Sequence, residues 1–106
     1  MDEKVIQLIN RLKVYLVDKY GDRIKDVILY GSHARGESTE DSDIDILILV
    51  DDSLNHSEVR ESVGDLLFDI LLESGELISV VVLPESFFKK YDYPFMLNVR
   101  REGIKV

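Results

Sequence analysis

The chain contains no cysteine, and this absence removes several kinds of chemistry at once. No disulfide, thiolate metal site or cysteine nucleophile is possible. The chain also lacks an excess of basic residues, because 13 Lys and Arg against 21 Asp and Glu give a formal net charge of -8. A sequence-independent grip on nucleic acid needs a basic face. We therefore do not expect nucleic acid as a partner.

Long hydrophobic runs are missing as well. The longest is ILILV at residues 46–50, far shorter than the roughly 20 residues that cross a membrane. The opening residues MDEKVIQLIN show neither the basic region nor the long apolar run of a signal peptide. We expect a cytoplasmic protein with no membrane partner.

Several familiar site patterns are also absent from the sequence. No second histidine lies at zinc-ligand spacing, and neither a Gly-x-Ser-x-Gly elbow nor a Walker A lysine is present. The spacing Asp41-x-Asp43-x-Asp45 imitates the start of an EF-hand loop, but Ile46 stands where that loop needs glycine. These absences disfavour zinc, acyl-transfer, P-loop and calcium-loop chemistry.

The periodicity predicts one layered domain over residues 1–106. Apolar residues at a 3.6-residue period indicate amphipathic helices at residues 3–20 and 57–74. The remaining segments are strands at 26–30, 43–50 and 77–83, a helical turn at 32–37, helices at 85–90 and 95–102, and a final IKV that is a short strand or a tail. The order indicates an α/β (α+β) fold, with a small mixed sheet of three to four strands flanked by helices.

Local signals refine these boundaries. Gly21 and Gly75 are positioned to end the two long helices. Ser57 and Ser32 are the expected N-caps of the second long helix and of the short helical turn. The strand at 43–50 is nearly continuous in apolar residues after its first acids, a pattern typical of a strand covered on both faces.

Two carboxylates, Asp43 and Asp45, stand at the start of that strand. Residues two apart on a strand point to the same side, with Cα atoms about 6.5 Å apart, so the two acids repel each other. Mg²⁺ and Mn²⁺ take oxygen ligands, and Mg²⁺ is commonly held by one or two carboxylates plus substrate phosphates. The pair therefore has the right ligands for such a cation. Taken alone, the acid pair is equally compatible with a strand that simply begins in solvent.

Upstream, Gly31-Ser32 lies at a predicted strand-to-helix turn. Glycine lets backbone N–H groups approach an anion closely, and the serine adds a hydroxyl donor. A phosphate cradle beside a metal-binding acid pair is the minimum equipment for nucleotidyl transfer.

Gly31-Ser32, ten residues and then Asp43-Ile44-Asp45 resembles the G-S-x10-D-x-D signature of the DNA polymerase beta-like nucleotidyltransferase superfamily. The compact length, the form YGSHARGE and the ending PFMLNVRREGIKV are similar to its minimal nucleotidyltransferases, the MNT family. The resemblance covers nearly the whole chain. It implies a nucleotidyltransferase fold and a metal-dependent transferase that uses a nucleoside triphosphate.

The resemblance also implies roles for individual residues. Asp43 and Asp45 would be the catalytic ligands of Mg²⁺ or Mn²⁺, and Gly31, Ser32 and Arg35 would bind the nucleotide. Arg35 could instead pair with a nearby acid, namely Glu37, Glu40 or Asp41. The implied reaction transfers AMP from ATP to an acceptor hydroxyl on a partner protein such as a HEPN-type toxin.

One departure from the superfamily pattern concerns the third carboxylate, which is usually supplied by a later strand. By spacing, that position is Ser79, which cannot act as a base near neutral pH. Glu76 could substitute if it reached the strand, and His33 is either a base beside the cradle or an exposed residue. The alternative function is therefore a non-catalytic antitoxin that retains only a nucleotide or metal site.

Aromatic residues are concentrated near the end of the chain. The segment contains Phe87, Phe88, Tyr91, Tyr93 and Phe95. Such density predicts either a surface for a protein partner or a second copy of the chain, or ordinary packing.

Overall fold

The computed structural model describes residues 2–106, and its first element is the amphipathic helix predicted at residues 3–20. Helix α1 runs Glu3–Tyr20, and the Asp2 side chain caps it by accepting the Lys4 N–H. Four buried residues one or two turns apart, Val5, Ile9, Leu12 and Leu16, form its inner stripe. Gly21 ends the helix with φ of 61°, as its position predicts.

The other elements follow in the predicted order. A 3-10 turn at Gly21–Arg23 leads into the first strand. The remaining elements are β1 (Ile24–Tyr30), α2 (Ser32–Arg35), β2 (Ile44–Val50), α3 (His56–Ser62), α4 (Gly64–Ser74), β3 (Ile78–Pro84), α5 (Glu85–Lys90), α6 (Pro94–Glu102) and β4 (Ile104–Lys105). Within residues 2–106, no helix has the length and apolar character needed to cross a membrane.

The four strands form one mixed sheet in the order β3-β2-β1-β4. Strand β2 pairs antiparallel with β1 and parallel with β3, and β4 pairs antiparallel with β1. The predicted small mixed sheet is confirmed, and the final IKV segment contributes its edge strand. The register places Asp45 opposite Tyr30 on β1 and opposite Ser79 on β3.

Strand β2 is covered on both faces, as its apolar run predicts. Ile46 and Ile48 pack with α1, α3 and α4 in the larger cluster of the core. Leu47 and Leu49 point to the opposite face and pack with Phe88, Met96 and Val99, which belong to α5 and α6. Asp45 shares the face of Leu47 and Leu49, because side chains alternate along a strand. The sheet thus directs Asp45 toward the α5–α6 layer.

The prediction of a single helix at residues 57–74 is wrong in one respect, because the structure divides this segment into two helices. Helix α3 ends and α4 begins at Val63, whose ψ of -9° departs from regular helix geometry. Gly64 follows directly, and glycine weakens a helix interior. The break lets Val63 itself be fully buried in the core.

The prediction that Ser57 and Ser32 are N-caps is also wrong. Asn55 caps α3, and its Oδ1 accepts the N–H groups of Ser57 at 3.0 Å and Glu58 at 3.2 Å. Gly31 is the N-cap of α2, and Ser32 is its first helical residue. In both places a residue earlier in the chain occupies the non-helical backbone conformation that a cap requires.

The Asn55 cap yields a stability prediction. Asn55→Ala should lower the free energy of unfolding by about 1 kcal/mol, because two N–H groups of the first turn lose their acceptor. Ser57→Ala is the matched control, and its effect should stay within about 0.5 kcal/mol. Urea unfolding followed by circular dichroism measures both. Equal losses for the two variants would contradict the assignment of the cap.

Candidate active site

The turn after β1 brings Gly31 against Asp45. Gly31 has φ of 77° and ψ of -156°, a region that only glycine adopts without strain. A Cβ added there would overlap Asp45 Oδ2 and lie 3.2 Å from Asp45 Cγ. The Asp45 carboxylate therefore rests directly on the backbone of the Gly-Ser turn. The two parts of the sequence motif, ten residues apart, meet in space.

The two acids have different environments. Asp45 lies in β2 and is partly buried, whereas Asp43 is exposed and precedes the strand, which begins at Ile44 and not at residue 43 as predicted. Burial raises the pKa of Asp45, and the charge of Asp43 raises it further. His33 and Arg35 act in the opposite direction and lower it. The effect of the Asp43 charge on Asp45 places the two carboxylates near each other.

This proximity of the two carboxylates is the observation that bears on a metal. Within residues 2–106, no group of three or more His, Cys, Asp or Glu side chains could hold a metal ion by itself. Two neighbouring carboxylates fit a divalent cation whose other ligands are substrate phosphates and water. The residues at the mouth of β2 therefore fit Mg²⁺ or Mn²⁺ together with a nucleotide, and their role as ligands stays a prediction.

Arg35, at the end of α2, is held by two acids. Its Nε donates to Glu37 at 3.1 Å, and its Nη1 donates to both carboxylate oxygens of Glu102 at 3.3 and 3.1 Å. One partner, Glu37, belongs to the predicted set of nearby acids, while Glu40 and Asp41 take no part in the pairing found. The other partner, Glu102, comes from the distant end of α6.

Glu102 is the residue of this site that sequence reasoning missed. Its Oε1 also accepts the Gly31 N–H at 3.2 Å, so one carboxylate binds both the Gly-Ser turn and Arg35. The hydrogen bond from Arg35 is the main cause that holds the pKa of Glu102 below its usual range, and the Gly31 N–H contributes to the same shift. A local signal was available, since Glu102 is the last residue of α6, where the helix dipole favours cations. An acid placed against this rule indicates a partner elsewhere.

His33 lies beside the acid pair and is only partly exposed. Its Nε2 lies 3.4 Å from the Ser42 carbonyl oxygen, an acceptor to which a protonated Nε2 donates. The ring ties α2 to the loop that leads into β2, and it is near enough to lower the pKa of Asp45. Of the two interpretations left open for His33, the structure favours the one that places it beside the cradle.

Ser79, which spacing predicts at the position of the third carboxylate, is the parallel-sheet partner of Asp45. Glu76 precedes β3, which begins at Ile78, and its Oε1 lies 3.6 Å from Lys4 Nζ. It lines a polar cleft of about 400 Å³ with Asp2, Val5, His33, Ser38, Thr39 and Glu40. Glu76 is thus near the site but outside the strand that would direct it toward Asp45.

Tyr30 forms an apolar wall next to the acids. It is the cross-strand partner of Asp45, and its ring packs edge-on against Phe95 with centroids 5.3 Å apart. Burial, helped by the charge of Asp45, raises the pKa of Tyr30 to about 12. The phenol therefore keeps its proton at neutral pH.

The aromatic segment divides into packing and surface. Phe88 is buried beneath α5, and Phe95 packs on Tyr30. The other three stack on one another, with Tyr91 and Tyr93 centroids 5.6 Å apart and Phe87 4.8 Å from Tyr91. Phe87 and Tyr93 are exposed. Both interpretations of the segment thus apply to part of it, and its use as a partner or homo-oligomer surface stays a prediction.

In this structure an acid on a central strand of a mixed sheet contacts a Gly-Ser turn. This arrangement defines the class of nucleotidyltransferase folds. Comparison with protein families agrees, because the model described as "Nucleotidyltransferase domain" matches residues 9–100. The chain belongs to this nucleotidyltransferase family. The resemblance inferred from the motif and its surroundings is thereby confirmed.

Curated relatives come from Methanocaldococcus jannaschii. The protein named "Putative protein adenylyltransferase MJ0604" is 43% identical over 104 residues, which cover 96% of this chain and 94% of the relative. A second relative with the same description, MJ0141, is 34% identical over 103 residues, covering 97% and 99% of the two chains. Both alignments extend over nearly the full length of each protein.

Solved structures share the fold at low sequence identity. A chain of a crystal structure of a toxin-antitoxin with AMP-PNP has a TM-score of 0.61 at 20% identity, covering 92% of this chain and 70% of that one. A chain of tri-AMPylated Shewanella oneidensis HEPN toxin in complex with MNT antitoxin has a TM-score of 0.58 at 19% identity, covering 95% and 70%. The predicted nucleotidyltransferase fold is confirmed by these likenesses.

Proposed function

We propose that the chain transfers AMP from ATP to a hydroxyl group on a partner protein. The observation that carries the proposal is the seating of the Asp45 carboxylate on the Gly31 turn, with Asp43 beside it. This arrangement puts groups that bind phosphate next to groups that bind a divalent cation. The names of the relatives, which are protein adenylyltransferases, support the same reaction.

Each residue has a distinct part in the proposed reaction. The Gly31-Ser32 backbone, the Ser32 hydroxyl and the Arg35 guanidinium bind the phosphates of ATP. Asp43 and Asp45 hold Mg²⁺ or Mn²⁺, which supplies positive charge to the phosphates when bound. The acceptor hydroxyl gives up its proton to solvent as its oxygen forms a bond to the α-phosphorus, the bond from that phosphorus to the bridging oxygen breaks, and pyrophosphate leaves.

A protein is the better acceptor on electrostatic grounds. The net charge of -8 opposes the approach of a polyanion such as nucleic acid. The named complexes among the structural neighbours pair a toxin with an antitoxin, one of them with AMP-PNP and another with AMPylated toxin. A HEPN-type toxin encoded beside this chain is therefore the acceptor to test first.

A non-catalytic role is the second candidate, and Ser79 is the observation that favours it. Ser79 stands beside Asp45 in the register, where the superfamily has its third carboxylate. A serine hydroxyl cannot take the acceptor proton near neutral pH. In this alternative the chain neutralises its partner by binding alone and retains a nucleotide or metal site.

Label transfer distinguishes the two candidates. The purified chain is incubated with Mg²⁺, ATP labelled on the α-phosphate and the protein encoded next to it. We expect label on the partner, and none when the label is on the γ-phosphate, because pyrophosphate leaves. The partner's activity is measured in parallel. Neutralisation of the partner without any covalent label would contradict the transferase and support the binding role.

A further inference from the structure

Glu102 occupies the groups that the proposed function assigns to phosphate. Its Oε1 accepts the Gly31 N–H at 3.2 Å, and its two oxygens both accept from the single Arg35 nitrogen Nη1 at 3.3 and 3.1 Å. A backbone N–H carries one proton, and it is directed at Glu102. The Gly-Ser turn and the guanidinium therefore already have an anionic ligand, which is part of the chain itself.

A carboxylate is a reasonable mimic of a phosphate at this position. Both anions carry negatively charged oxygens that accept strong hydrogen bonds from a guanidinium group and from backbone N–H groups. The Glu102 side chain is only 16% exposed, so it is held within the site. Its lowered pKa keeps it ionised at neutral pH.

We propose that Glu102 is an internal competitor of the triphosphate, and that it sets nucleotide affinity by holding Gly31 and Arg35 until phosphate displaces it. The proposal rests on the proposed function, because it concerns the same phosphate-binding groups. It adds a residue to the nucleotide site that lies outside the sequence motif.

Displacement must occur by rotation of the side chain, because the backbone next to it is tightly packed. Gly103 follows Glu102, and a Cβ there would lie 2.7 Å from Ile28 Cγ2 and overlap the Val99 carbonyl oxygen. Strand β4 then pairs with β1 at Ile28 and Leu29. The end of α6 is thus fixed on β1, while the carboxylate has rotatable bonds with which to release the turn.

The charge balance points in the same direction as the hydrogen bonds. The Glu102 carboxylate lies within hydrogen-bond distance of Gly31 and Arg35, so its negative charge opposes an incoming triphosphate as well. Removing that charge should therefore strengthen binding. If Glu102 served only to position Gly31 and Arg35 for phosphate, removing it should weaken binding. The sign of the change separates the two roles.

The test compares Glu102→Gln with the wild-type chain and with Glu40→Gln, which removes the same charge from an exposed loop residue. Isothermal titration calorimetry with inorganic tripolyphosphate, and separately with Mg²⁺-ATP, measures the dissociation constant. We expect Glu102→Gln to lower it by about tenfold, since a charge-assisted contact no longer competes, and Glu40→Gln to change it by less than about threefold. Unchanged or weaker tripolyphosphate binding by Glu102→Gln overturns the proposal.

A measurement on the wild-type chain makes the test independent of any effect of the variant on folding. The side-chain carboxyl ¹³C resonance of Glu102 should move when tripolyphosphate is added, because the carboxylate leaves Gly31 and Arg35. A resonance that stays in place while tripolyphosphate binds overturns the proposal. Neither measurement needs AMP transfer, so failure of the proposed function would appear separately, as absent label on the partner.

Discussion

Replacing both Asp43 and Asp45 with Asn should reduce AMP transfer by at least about 100-fold while the chain stays folded. The two carboxylates are the proposed ligands of the divalent cation, and electrostatic stabilisation by a bound cation contributes several kcal/mol to such reactions. Each 1.36 kcal/mol of the barrier is a factor of ten in rate, so a loss of about 3 kcal/mol already gives this reduction. Initial rates of label transfer at saturating Mg²⁺ and ATP measure it.

The same substitution should not lower the melting temperature of the chain. Burial first, and then the charge of Asp43, raises the pKa of Asp45, so the ionised carboxylate is disfavoured in the folded chain and losing its charge costs no stability. Asparagine has nearly the same shape as aspartate, so packing against Gly31 is retained. Loss of activity with unchanged melting would separate a functional role from a structural one.

Asp41→Asn is the matched control for the acid pair. Asp41 is exposed in the loop before β2 and differs from Asp43 by two positions, so the variant removes one charge from the same region. Transfer by this variant should stay within about threefold of wild type, as exposed charges act weakly on neighbours. If Asp41→Asn reduced AMP transfer as much as the double substitution, the loss would come from removing any negative charge in this region and not from removing the proposed metal ligands. Activity retained in the double variant would favour the solvated-start interpretation of the pair.

Gly31→Ala should combine a loss of stability with a loss of function. The backbone of Gly31 lies in a region that costs a residue with a Cβ about 1–3 kcal/mol. The added Cβ would also overlap Asp45 Oδ2, so the carboxylate must move away from the turn. We expect a lower melting temperature together with at least about tenfold weaker Mg²⁺-ATP binding, measured by calorimetry well below the transition.

Gly36→Ala provides the control for backbone strain. Gly36 also has a positive φ, 73°, but a Cβ there would meet nothing within 4 Å. The Gly36→Ala variant should therefore lose about 1 kcal/mol of stability, because alanine is strained in the left-handed backbone conformation, and it should keep its nucleotide affinity. Equal losses of affinity in the two variants would show that strain in the turn, and not the collision with Asp45, weakens binding.

Much of the fold could be predicted because its signals are local. Helix α1 matches its predicted bounds, since its apolar stripe, the Asp2 cap and Gly21 all lie within or next to the segment. The continuous apolar run of β2 correctly indicated a strand covered on both faces. The break at Val63 was missed, because the apolar period of residues 57–74 continues across it and Val63 itself fits that period as a buried residue.

The candidate site shows the same division. The meeting of Gly31 with Asp45 could be predicted, because the motif places the two residues at the facing ends of consecutive strands, which pair antiparallel. The contact of Glu102 with Arg35 joins residues 67 positions apart in sequence, and no spacing rule specifies it. The only local sign was an acid at a helix end that favours cations. Tyr30 was missed for a similar reason, since its place beside Asp45 depends on strand register.

The acids at the ends of β2 have a further consequence before the chain is folded. Residues 46–50 are an uninterrupted run of aliphatic residues, most of them β-branched, and such a run is prone to aggregate when it is exposed. Charged residues that flank such a run act as gatekeepers against intermolecular strand pairing. Asp43 and Asp45 stand at one end and Asp51 and Asp52 at the other. The acids that we propose as metal ligands thus have a second expected effect, and we expect the refolding yield at high protein concentration to fall when they are replaced.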